Sequence, residues 1–155
     1  MTKQDAIKKL IEVALAEEGY LEKATNANLD SKTANAGYNN YTKYARDHAA
    51  WGTYNASKQG YAWCEMFVDW CFIKAFGFDT GMKMTCQPKG QYGAGCTMSY
   101  SYYKQAGQAV GIQEAAAGDQ IFVLVGGILA ALGHVHHHGE RVGIAQLFHH
   151  ALHPV

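Results

Sequence analysis

The sequence predicts an α+β domain, on three observations. An apolar stripe of helical period runs near the N-terminus. A second one starts at Cys64. A β-branched run closes the ordered pattern at Gln120–Val125. Helices first and strands last is the α+β order.

The first helix is set by Thr2 and Asp5, which read as a capping box, and by Ile7, Leu10, Ile11 and Ala14 on one face. It is expected to end near Glu18 with Gly19 as its cap. Residues 20–40 are rich in Asn, Ala, Thr, Ser and Gly and read as loop, with a short helical turn at Leu21–Ala24. Tyr41, Tyr44 and Ala45 then share the inner face of a short helix, and 49–55 reads as a turn-rich connection.

The central helix is expected to open at Ala62 or Trp63. Cys64, Phe67, Val68, Cys71 and Ala75 fall on one face, and Gly77 ends it. Cys64 therefore lies in the first turn, where unpaired N–H groups and the helix dipole favour an anion. A thiol reacts as thiolate, and only about 3% of an ordinary thiol is ionised at neutral pH. Cys71, on the same face, reads as inert core. A packed, unreactive Cys64 is the bland alternative.

After Gly77 the residues Thr80, Gly81, Pro88, Gly90, Gly93 and Gly95 suggest one long loop. A further helix is expected over Thr97–Ala106, closed by Gly107, with Tyr100 and Tyr103 on the face of Cys96. Its tyrosines suit a core better than a sugar platform. Gly118-Asp119 is a turn into a buried strand, Gln120–Val125.

At 155 residues the chain is one domain, able to bury about 70% of its unfolded surface. Its formal net charge is zero and it has no block of Lys or Arg, so nucleic acid and anionic membranes are not expected partners. The polar start Met1–Asp5 carries no signal peptide, and Gly126-Gly127 interrupts the longest apolar run, so no membrane insertion is expected. The expectation is a cytoplasmic protein unless another agent releases it. Cysteines at 64, 71, 86 and 96 lack zinc-knuckle spacing, and a cytosol would keep them reduced.

The run Gly60-Tyr61-Ala62-Trp63-Cys64-Glu65-Met66-Phe67-Val68-Asp69-Trp70-Cys71 resembles the nucleophile motif of CHAP-domain peptidoglycan hydrolases, in particular prophage endolysins of Gram-positive bacteria. Asn40–Asp47, Gly93–Cys96 and Gly118–Phe122 resemble the same group in the same order. The resemblance covers roughly residues 4–122. It implies a papain-like (CHAP/NlpC-type) fold, with N-terminal helices packed on an antiparallel sheet. It implies cleavage of an amide bond, either the N-acetylmuramoyl–L-alanine link or a peptide bond of the stem or cross-bridge. Cys64 is then the nucleophile, and its backbone N–H, with a donor such as Tyr61, holds the oxyanion. The Asn40–Asp47 segment is expected either to line one wall of the cleft or to be purely structural. Peptidoglycan is the partner, the chain acts as a monomer, and no metal or cofactor is implied.

Residues 123–155 are atypical and His-rich. Seven of the eight histidines follow residue 133. The family's base opens the strand after the Gly-Asp strand, before a Gly-Ile pair. His134 has the better spacing but lacks Gly-Ile, whereas Arg141-Val142-Gly143-Ile144 has the ending with an arginine that cannot be a base. His134 is the choice, with His138 second. Glu140 and Gln146 are the remaining orienting candidates after His134, neither well placed, so the third role stays unfilled. Incomplete C-terminal strands are expected. One hypothesis is that the tail comes from a shifted reading frame; an out-of-frame Gly-Ile strand in the source DNA would test it. Two other functions compete. His134 and His136, sharing a strand face, could hold a metal. The chain could also be an inactive wall-binding module.

Overall fold

The computed structural model describes residues 1–125, 128–137 and 140–143, with side chains described for residues 1–123. The order of elements is α1 (Lys3–Leu15), α2 (Lys43–Trp51), α3 (Cys64–Phe76), α4 (Phe78–Met84), α5 (Cys96–Gln105), a 3₁₀ turn at Ile112–Glu114, then β1 (Gln120–Val125), β2 (Ile128–His137) and β3 (Glu140–Gly143). This is the α+β order that the sequence predicts. The strands form an antiparallel sheet in the order β1-β2-β3, with Gln120 opposite Gly133 and His134 opposite Gly143.

The capping box forms as expected. Thr2 Oγ1 accepts from the Asp5 N–H at 3.1 Å, and Asp5 Oδ2 accepts from the Thr2 N–H at 3.0 Å. α1 stops at Leu15, short of Glu18. Glu17 and Glu18 donate to carbonyls three residues back, which tightens the last turn before Gly19 at φ +79°. The tightened turn carries Glu17 inward, where it pairs with Lys43 and accepts from the Tyr44 hydroxyl at 3.0 Å.

No helical turn forms at Leu21–Ala24. Lys23 instead makes isolated bridges to Ala36 and Tyr41, and its buried ammonium donates to the Lys32 carbonyl at 3.0 Å. α2 runs on through the expected connection to Trp51, because His48 turns into the core and Gly52, at φ +65°, supplies the left-handed cap.

α3 is the hub. Helices α1, α2, α4 and α5 and strand β2 all pack against it. The sequence suggests one buried face, yet Glu65–Ile73 and Ala75 are all buried. A helix enclosed on every side has no solvent face for polar residues to mark. Met66, Phe67 and Trp70 join Tyr20, Tyr44 and Trp63 in the main cluster. Fully burying each such side chain stabilises by about 1.5–3 kcal/mol.

The loop expected after Gly77 contains α4. Gly81 seats it: a Cβ there would lie 2.6 Å from the Phe72 carbonyl carbon and oxygen, so only glycine allows this approach. α5 and the turn at Gly118 fall where expected. Ile121, Phe122 and Val123 are half-buried, short of the fully buried strand expected; Phe122 is the one that faces α5, where it meets Tyr100 and Tyr103 at 5.4 and 5.9 Å. Among the described residues, no helix is long and apolar enough to cross a membrane.

Candidate active site around Cys64

Cys64 is the first residue of α3, and the chain is led to it by a pinned approach. Trp63 is buried, and its indole N–H donates to Glu22 Oε2 at 2.7 Å. Upstream, Gln59 grips Thr42 twice: its Oε1 accepts from the Thr42 N–H at 2.9 Å and its Nε2 donates to the Thr42 carbonyl at 2.9 Å. The 20–42 segment thus serves as a clamp on the residues before the helix. No side-chain hydrogen bond caps α3. The N–H groups of a first turn have no intrahelical acceptor, so this end of α3 suits an anion.

The thiol of Cys64 is half-buried, and its sulfur lies 3.2 Å from that of Cys96, the first residue of α5. Two helix N-termini therefore converge on two sulfurs. Around them sit Leu10, Val68, Phe72, Phe76 and Phe122.

Behind the thiol lies a buried polar network that the apolar spacing of α3 does not announce. Glu65 and Asp69, one turn apart on α3, are both fully buried. Burial, then the neighbouring Asp69 charge, raises the Glu65 carboxyl well above its ordinary range; a charged Cys64 raises it further. Gln120 donates to Glu65 Oε2 at 2.9 Å. Ser99 faces the carboxyl and favours its charged form, but neither Ser99 Oγ nor Glu65 Oε1 completes a hydrogen bond among the described residues. Burial pushes Asp69 up to about 7, against hydrogen bonds from Tyr54 and Gln87 that favour its charged form. Tyr54 donates at 2.8 Å, and Gln87 Nε2 reaches both oxygens at 2.8 and 2.9 Å. Gln87 Oε1 then accepts from the Gly93 N–H at 2.9 Å, which ties the α4–α5 connection to α3. The raised Glu65 carboxyl disfavours a negative charge next to the sulfur, which lessens the opposition a thiolate at Cys64 would meet from its neighbour in the chain.

A signal for this network does exist in the sequence. Glu65 and Asp69 are the only acids in an otherwise apolar run, at i and i+4. Acids inside such a run have no polar face to occupy, and must be paired or neutral.

The other predicted residues fall as follows. Tyr61 is 62% exposed; its N–H donates to the Lys58 carbonyl at 3.2 Å, which leaves the hydroxyl as the donor it can offer an oxyanion. Cys71 is buried, and burial raises its thiol well above the ordinary range. The backbone of His134 lies late in β2, not at its start, and β2 packs on α3. The side chains of His134, His136, Glu140 and Arg141, and the whole of His138, Gln146, His149, His150 and His153, lie outside the described residues. The Asn40–Asp47 segment does line a cleft, of about 440 Å³, but with Glu17, Asp30 and Trp70 and without Cys64. Its charges are mutually paired: Arg46 with Asp30 and Asp47 at 2.7 and 2.8 Å, Lys43 with Glu17 at 2.6 Å. That favours the structural role for this segment.

His48, the one histidine outside the tail, is structural. Its Nε2 donates to the Met66 carbonyl at 2.8 Å, so Nδ1 is left to accept from Thr53 Oγ1 at 3.0 Å. Burial pushes its pKa down to about 4, and the ring is neutral with both nitrogens engaged. Among the described residues, no cluster of three or more His, Cys, Asp or Glu could hold a metal ion.

No family model, no curated protein and no solved structure matches the chain.

Proposed function

We propose that this chain is a cysteine hydrolase of bacterial peptidoglycan, with a papain-like CHAP architecture and Cys64 as nucleophile. The observation that carries the reading is the position of Cys64: a half-buried thiol that opens the central helix, next to a buried acid whose carboxyl burial raises well above its ordinary range. The resemblance of the Gly60–Cys71 run supplies the substrate class.

In this reading the Cys64 thiolate attacks the carbonyl carbon of an amide. The C–S bond forms, and the oxygen takes the charge beside the Cys64 N–H and the Tyr61 hydroxyl. A base that has taken the thiol proton returns it to the leaving nitrogen as the C–N bond breaks. Water then hydrolyses the thioester. His134 is the proposed base. The partner is the Gram-positive wall and the chain acts as a monomer that needs no cofactor. Release from the cytoplasm to the wall belongs to the same proposal.

Digestion of purified Gram-positive walls, read by mass spectrometry of the new ends, tests the reading and separates amidase from endopeptidase. New N-terminal L-alanine marks the amidase; a new stem or cross-bridge terminus marks the endopeptidase. A digest with no new ends refutes hydrolysis. His134→Ala should lower the rate about 10²–10⁴-fold, the usual contribution of a general base. An unchanged rate would remove His134 from the mechanism.

A further inference from the structure

We propose that Cys64 and Cys96 form a dithiol modification site whose co-reactant is a hydroperoxide and whose product is a reversible disulfide.

The geometry is specific to this pair. The two sulfurs stand 3.2 Å apart, although 32 positions separate them in the chain. A disulfide needs about 2.05 Å, so the sulfurs must close by roughly 1 Å. Each residue opens its own helix, α3 and α5. A small turn of either side chain about its first dihedral therefore moves a sulfur without disturbing a helix interior. Cys64 is half-buried and Cys96 is buried, 7% exposed. That asymmetry assigns the roles. The more accessible thiolate meets the oxidant, and the covered thiol waits behind it as the resolving group.

The chemistry balances in two steps. The Cys64 thiolate attacks one oxygen of the hydroperoxide. The O–O bond breaks, giving a sulfenic acid on Cys64 and hydroxide, or alkoxide from an organic peroxide. The Cys96 sulfur then attacks the sulfenic sulfur. The S–S bond forms, the S–O bond breaks, and the hydroxyl leaves with the Cys96 proton as water. The two cysteines lose two electrons, and the peroxide takes them up. Without Cys96 in reach, the sulfenic acid would stay open to further, irreversible oxidation.

The disulfide consumes the Cys64 sulfur, so a chain that uses Cys64 as nucleophile is silent until reduced. That consequence rests on the proposed function; the site itself does not.

The test treats the full chain with hydrogen peroxide, blocks remaining thiols with iodoacetamide, and maps peptides by mass spectrometry before and after dithiothreitol. The expected product is a Cys64–Cys96 cross-linked peptide that dithiothreitol converts back to two alkylatable thiols. In Cys96→Ser, peroxide should take Cys64 to the sulfinic acid, which dithiothreitol does not recover. Cys64 oxidised while Cys96 remains alkylatable in the unsubstituted chain would overturn the proposal, as would a cross-link to Cys86. Wall lysis assayed on the same samples separates the two readings. A cross-link that forms in a chain which lyses walls equally well, or never lyses them, keeps the dithiol site and refutes Cys64 as nucleophile.

Discussion

The first turn and the middle of one helix hold the same functional group in opposite surroundings. At its first turn, α3 carries Cys64, half-buried, with a second sulfur at 3.2 Å and no side-chain cap on the helix end. Two turns on, Cys71 is sealed among the aromatic side chains of the main cluster, and burial raises its thiol well above the ordinary range. Glu17, the next cause, adds negative charge, while Lys43 offsets it only in part. Reactivity in a thiol is a property of the site and not of the residue. A helix end lends an anion its N–H groups; a helix middle has already spent them on its own carbonyls.

The sharpest way to break this comparison is a pair of substitutions. Cys64→Ala should abolish lysis of Gram-positive walls, whereas Cys71→Ala should leave most of it. Equal rates for the two variants, measured as loss of turbidity of a wall suspension, would end the distinction. A chemical test comes next. Iodoacetamide at neutral pH should label Cys64 at least about 10²-fold faster than Cys71, because thiolate fraction and access both favour it. Peptide mapping over time gives the ratio, and comparable rates would contradict the burial argument.

Asp69 tests the polar stretch between the two thiols. Its folded pKa of about 7 lies above the ordinary 3.8, so the folded chain binds the extra proton. Stability from this group is full below about pH 4 and is lost as pH rises toward 7. Asp69→Asn cannot titrate. Its stability relative to the unsubstituted chain should therefore improve between pH 4.5 and 7.5, by on the order of a few kcal/mol. Urea titrations at the two pH values measure this; a pH-independent difference would show that Asp69 is ionised in the core throughout. The smallest effect concerns the C-terminal half of α3. Gly81→Ala puts a methyl against the Phe72 carbonyl and should destabilise by about 1–3 kcal/mol, read from the urea midpoint, without changing the Cys64 labelling rate.

Much of the helical frame was legible because local rules decide it. Thr2 and Asp5 cap α1 through a contact three residues long. Gly77 and Gly107 close helices because their backbones adopt positive φ, and Gln120–Val125 pairs as a strand because its β-branched run follows a Gly118 turn. The boundaries that failed were set by distant partners. α1 ends early where Glu17 turns toward Lys43, and α2 runs long where His48 finds the Met66 carbonyl. α4 exists because Gly81 lets it rest on Phe72.

The sequence by itself determined that Cys64 would stand in the first turn of a helix, from the spacing of Phe67, Val68 and Cys71 and the terminating Gly77, although it put the opening at Ala62 or Trp63 and the helix opens at Cys64. It determined the α+β order for the same local reason. Only the tertiary structure decided what surrounds the thiol. Cys96 is brought to 3.2 Å, Gln87 and Tyr54 reach Asp69, and Gln120 reaches Glu65 from 55 positions away. Such pairings depend on how helices and strand pack, which periodicity cannot encode. They matter because burial, a sum over the whole fold, is what raises the Glu65 carboxyl and the Cys71 thiol above their ordinary ranges.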